Sequence, residues 1–226
     1  ASVAVAYLKN VQEAKLDSES SLTVADTVTV NSVQKTSGSD FSFGGYDLAT
    51  YSKTDSENLR GTFSAMAQAL VFTAGVGVMD AVVSTANAIA DATSRAMLRA
   101  ENLSSTVIRV TNDAESTAVA NIASLSLSIA SVGLHAGYAY AKGTFEALVQ
   151  TKGSLSGVET NIIGSNLTIT NTYVSDAYAV ITPALGGISA KLADVKVNTA
   201  VAKNLTKANT GILGDTGSGG IIAISG

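Results

Sequence analysis

Cysteine and tryptophan are absent from the 226 residues, and there is one proline and one histidine. Without cysteine there are no disulfides, no thiolate catalysis and no Cys-ligated metal. Aromatic residues make up 5% of the chain although apolar residues make up 46%, so the apolar stock is mostly Ala, Val, Ile and Leu. A chain short of bulky anchors favours many thin layers over one deep core. Charged residues are 14%, against roughly 25% in ordinary soluble domains, which leaves the polar surface to Ser, Thr and Asn. That balance is typical of secreted β-structure. The 14 Lys and Arg are scattered and the net charge is −4, so neither a nucleic-acid footprint nor a polybasic membrane patch is expected.

Long apolar runs are also missing. The nearest, 65–79, is short and holds Gln68, Gly75 and Gly77, so no membrane-spanning segment is expected. His135 stands alone in LHAG; a Ser-His-Asp triad would have to use it, and zinc sites want several such ligands. It reads as a turn or surface histidine. Asp40, Asp47, Asp55, Asp113, Glu115, Asp176 and Asp215 are scattered with no calcium-loop spacing. GVG at 75–77 and GSGG at 217–220 open no nucleotide fingerprint and read as turn glycines. No catalytic residue, metal or cofactor is therefore assigned. No signal peptide is visible, and the two ends, ASVAVAYLKN and IIAISG, read as cuts from something longer.

What the chain does hold is repetition. Residues 110–120, VTNDAESTAVA, return as ITNTYVSDAYA at 169–179. Thr111, Asn112, Ser116, Ala118 and Ala120 become Thr170, Asn171, Ser175, Ala177 and Ala179, an offset of 59 throughout. Independently, Ala6, Tyr7, Lys9, Glu13 and Ala14 return as Ala139, Tyr140, Lys142, Glu146 and Ala147, an offset of 133. A β-rich phrase closes each unit: TVTVN, VIRVTN, LTITN and IIAIS. Aligning Val30, Val110, Ile169 and Ile224 gives spacings of 80, 59 and 55. The surplus in the first interval approximates one coil of a parallel β-solenoid, roughly 20 residues. It is assigned to 37–60, as an extra coil or protruding loop.

The closing phrases alternate strictly: Val28 and Val30 point one way, Thr27 and Thr29 the other. β-Branched residues dominate them, and Gly, Asn, Asp and Ser fall between as turn residues. Segment 80–100 is the exception. Val82, Ala86, Ile89 and Met97 lie at helical spacing, and alanine is the best helix former. Strand is preferred there, since the segment falls inside the repeat frame and Ala81 and Val83 begin a period of two. A short helix or loop decorating the stack at 80–100 would reconcile both patterns. The fold expected for 1–226 is all-β: a single right-handed parallel β-helix (β-solenoid), a fragment of a longer repeat protein.

Phe41, Phe43, Tyr46 and Tyr51 form the densest aromatic cluster and are the weak binding candidates, for a protein partner or a glycan. The bland alternative is a hairpin or extra coil packing its own aromatics. Outward threonines such as Thr27 and Thr29 are not an ice-binding ladder, because the equivalents of Thr29 are Arg109, Thr168 and Ala223.

The opening phrase, with Val3, Val5, Lys9, Asn10, Val11, Ala14 and Leu16 followed by Leu22, Val24, Val28 and Val30, resembles repeats of filamentous-haemagglutinin-like and leukotoxin-type filamentous adhesins, the passengers of autotransporters. Val197, Asn198, Val201 and Leu205 resemble the same pattern. Segments 37–60 and 80–100 depart from it. The resemblance implies secretion, bacterial cell-surface display, and a rod that spaces or presents adhesive parts. Its partners would be a host or neighbouring-cell surface protein or glycan, with self-association into filaments. The expected function is a structural, adhesive stalk and not an enzyme. The alternatives are a carbohydrate-active β-helix enzyme and a helical phage or sheath assembly protein.

Overall fold

The computed structural model describes residues 1–34, 42–43, 46–47, 66–152, 160–182, 193–213 and 220–225. Strand β1 is Ser2–Gln34, β2 is Ser42–Phe43, β3 is Tyr46–Asp47, β4 is Met66–Thr151, β5 is Thr160–Thr182, β6 is Ala193–Leu213 and β7 is Gly220–Ile224. One sheet runs in the order β1-β4-β5-β7, with β6 also on β4, and every pairing in it is parallel. The described residues contain no helix.

At about 3.3 Å per residue, an 86-residue strand laid straight would span about 280 Å. It curls instead. Ser94 and Asn112 of β4 are hydrogen-bonded to each other across the interior. Ala92, Ala114 and Phe145 close into one buried cluster beside them. The sheet is thus a curled half-barrel of parallel strands, compatible with a β-helix.

Every even-numbered residue from 84 to 100 is buried and every odd-numbered one between them is half-buried. That settles the 80–100 segment: it is strand within β4, neither a helix nor a loop decoration. Ile89 and Met97 point away from the side that buries Ala86, which breaks the apparent helical stripe. The interior is narrow, and Ala86, Ala88, Ala90, Ala92, Ala96 and Ala100 are all 0% exposed. Alanine's helical preference, a few tenths of a kcal/mol per residue over other formers, is small beside ladder hydrogen bonds and methyl burial at roughly 0.8 kcal/mol each.

The core forms two main clusters. In one, Val28, Val30, Leu98, Leu103, Ile108, Val110, Ala147, Val149 and Ile162 pack with Leu16, Leu22, Ile169 and Ile222. In the other, alanines of β4 pack with Ala4, Ala6 and Leu8 of β1 and with Ala177, Ala179 and Ile181 of β5.

Register follows the repeats. Val30 lies on Val110, and Val110 on Ile169. Thr111, Asn112, Ser116, Ala118 and Ala120 lie on Thr170, Asn171, Ser175, Ala177 and Ala179. The fourth phrase departs from expectation: Ile224 lies on Gly164 rather than on Ile169. The reason is the inward partner, since Ile222 enters the cluster of Ile162 and Leu103. Between β1 and β4 the register shifts at Ser18/Ser21 and at Val24/Thr27, so Ser2 lies on Ser84 while Thr27 lies on Val107. Among the described residues β1 pairs only with β4, and β6 only with β4, so each presents an outer strand edge.

Candidate functional site

The 133-residue repeat is a relation between strands that do not touch. Ala6 lies on Ala88 of β4. The Lys152 amide donates to the Ala100 carbonyl at 2.8 Å, and Arg95 bonds Glu146, 51 residues on. The 139–151 part of β4 therefore runs beside its 88–100 part, which separates it from β1. Equivalent residues Tyr7 and Tyr140, Lys9 and Lys142, and Glu13 and Glu146 fall on one outer face, two strands apart, with Ile89, Asp91 and Arg95 between them.

The clearest electrostatics of this face centre on Arg95. Its Nε donates to Glu146 Oε2 and its Nη1 to Glu13 Oε1 at 3.3 Å. Glu146 Oε1 also accepts from Asn209 Nδ2 of β6 at 2.9 Å. The hydrogen bond donated to Glu146, with that carboxylate's charge, holds the Arg95 pKa above its ordinary value against the cost of burial. Lys152 similarly spans to β1, bonding Glu19 and, at 3.3 Å, Asp17. Hydrogen bonding from Lys15, then from Lys152, lowers the Asp17 carboxyl, and Glu19 raises Lys152.

Inside, the recurring Asn pair has a structural role. Ser32 Oγ and Ser94 Oγ are 3.0 Å apart, Ser94 donates to Asn112 Oδ1, and Asn112 Nδ2 donates to Asn171 Oδ1 at 2.8 Å. Asn171 Nδ2 then donates to the carbonyl of Phe145 at 2.8 Å. Ser32, Ser94 and Asn112 are at most 1% exposed. This polar ladder runs along the stack and satisfies groups that would otherwise be buried without partners.

His135 is neither a turn nor a surface residue: it lies in β4 and is 4% exposed. Of the glycines read as turn formers, Gly75 is a tight slot within β4 instead, and 217–219 lie outside the described residues. A Cβ at Gly133 would come within 2.8 Å of His135 Nε2, and a Cβ at Gly75 would collide with the Asp80 carboxylate. Burial, and then the Lys196 charge, push the imidazole below its ordinary pKa. Asp80, Ser124, Ser131 and Lys196 share its cavity, the residue types of a nucleophilic triad. The cavity measures about 10 Å³, room for one water and no substrate. His135 Nδ1 has no hydrogen-bond partner, so no carboxylate orients the ring.

Of the aromatic candidates, Phe43 and Tyr46 are paired antiparallel in the β2–β3 hairpin, while Phe41 and Tyr51 lie outside the described residues. Most of 37–60 lies outside them as well. Tyr7 and Tyr140, which recur with Lys9 and Lys142, were not among the aromatic candidates; they lie on the outer face described above. Among the described residues no helix is long and apolar enough to cross a membrane, and no group of three or more His, Asp or Glu could hold a metal ion.

No family model, no curated protein and no solved structure matches this chain.

Proposed function

We propose that this chain is a structural, adhesive stalk segment of a secreted bacterial surface or filament-forming protein, built as a right-handed parallel β-helix of the filamentous-haemagglutinin-like kind. One observation carries the reading: equivalent residues lie on one another in parallel register, Val30 on Val110 on Ile169. Such a stack grows along one axis, each layer held by its neighbours. Its length is set by the number of repeats, which suits a spacer. The interior is filled with methyl groups and a satisfied polar ladder, and the space beside His135 is too small for a substrate. The helical assembly alternative loses its basis, because the described residues contain no helix.

The test is where the protein sits and what its loss does. Antibody to this chain should label intact producing cells, protease applied outside should remove the label, and deletion should reduce attachment to surfaces or neighbouring cells. Label found only after lysis, with attachment unchanged on deletion, would sink the proposal.

A further inference from the structure

The geometry points to a binding platform for an extended, acidic, β-1,4-linked polysaccharide on the outer face formed by Tyr7, Tyr138 and Tyr140 with Lys9 and Lys142. It rests on the stalk reading and names what that stalk grips.

The repeat dictates the spacing. Tyr7 lies on Ile89, and Tyr140 occupies the equivalent position on the far side of that strand. Two strand spacings separate the two tyrosines, about 10 Å. This is close to the disaccharide repeat of a flat β-1,4-linked chain lying across the strands. Tyr138, two residues from Tyr140 on the same side of its strand, widens the platform by about 7 Å. Tyr7 is 60% exposed and Tyr138 and Tyr140 are half-buried, so the rings are seated on the sheet and accessible. A tyrosine offers an apolar face to a pyranose ring and a hydroxyl to its substituents.

Charge selects the ligand. Lys9 and Lys142 recur with the tyrosines, one residue pair further along, and flank Asp91 of the strand between. Neither lysine forms an ion pair among the described residues, so both ammonium groups are available to carboxylates set at the same period as the rings. A uronate polymer presents that arrangement: sugar faces for the tyrosines and a carboxylate beside each. The Arg95 pair with Glu13 and Glu146 locks the strands that carry both positions, so the platform is formed before ligand arrives.

Affinity electrophoresis of the 226-residue chain in gels containing polymannuronate, with dextran as the neutral α-linked control, tests this. Polymannuronate should retard the chain and dextran should not. The pair Tyr7→Ala and Tyr140→Ala should weaken retardation at least tenfold. Lys9→Gln with Lys142→Gln should weaken it in low salt and have little effect in high salt. Tyr7→Leu with Tyr140→Leu keeps apolar area without a flat polar-edged ring, so its loss of binding with an unchanged circular-dichroism spectrum separates recognition from folding. Absence of retardation, equal retardation by dextran, or retardation that survives the Leu pair would overturn the inference. A chain that fails here yet labels the cell surface leaves the stalk reading standing.

Discussion

Glu13 and Glu146, 133 residues apart in the chain, both bond the guanidinium of Arg95 from the strands on either side of it. The two carboxylates differ in their need for it: the Glu146 side chain is 11% exposed and the Glu13 side chain 45%. Arg95→Met should therefore cost about 1–2 kcal/mol, chiefly by leaving Glu146 charged and half-satisfied in a covered position. Glu13→Gln should cost no more than about 0.5 kcal/mol, as exposed pairs do. Urea midpoints at constant slope measure both, and adding Glu146→Gln to Arg95→Met should recover part of the loss.

The interior ladder predicts a coupled pair. Asn112→Ala removes an acceptor for Ser94 and a donor to Asn171, and should cost about 1–3 kcal/mol. Asn171→Ala leaves the Asn112 amide without its acceptor and should cost a similar amount. The double variant should fall short of the sum by at least about 0.5 kcal/mol in a double-mutant cycle. Additive losses would show that the two amides act independently.

Phe145 is the largest fully buried side chain among the described residues, and its ring stacks on Tyr173 of β5 with centroids 5.3 Å apart. Phe145→Ala should cost about 3–5 kcal/mol. The flanking glycine is equally constrained, because a Cβ at Gly143 would come within 2.7 Å of that ring. Gly143→Ala should destabilise by about 1–3 kcal/mol through overpacking. Combined with Phe145→Leu, the glycine substitution should lose much of its own cost. Thermal melts of the wild type, Phe145→Ala, Gly143→Ala, Phe145→Leu and the combined variant check this.

His135 makes stability depend on pH in a defined direction. Burial holds its folded pKa below the ordinary 6.5, so the unfolded chain takes up the proton first as pH falls. Its contribution to stability is present above pH 6.5, declines below that value, and is fully lost once pH has dropped through the depressed folded pKa. Asp80 and Lys196 share its cavity, and protonation would place a second cation beside Lys196. Since the chain has one histidine, its imidazole proton resonance can be titrated without ambiguity. A midpoint at or above 6.5 would contradict the burial. In His135→Gln, the decline in stability just below pH 6.5 should flatten.

Much of this architecture could be read from the order of residues alone, for a physical reason. In a parallel, in-register stack each residue lies on its counterpart in the next layer, so selection for mutual fit writes like on like. That is why 110–120 and 169–179 match, why their 59-residue offset is the observed register, and why the all-β class was legible. The recurring Tyr, Lys and Glu at an offset of 133 marked the outer face, although those strands are separated by the 88–100 part of β4. Tertiary structure decided what periodicity leaves open. An alanine-rich segment such as 80–100 satisfies helix and strand patterns alike, and only the narrow interior, which admits methyl groups at alternate positions, selects strand. The seating of Ile224 on Gly164 depended on where Ile222 could bury itself, a contact between distant segments. The burial of His135 depended on space left by Gly133 and on Lys196 arriving from β6, neither of which is expressed in the local sequence.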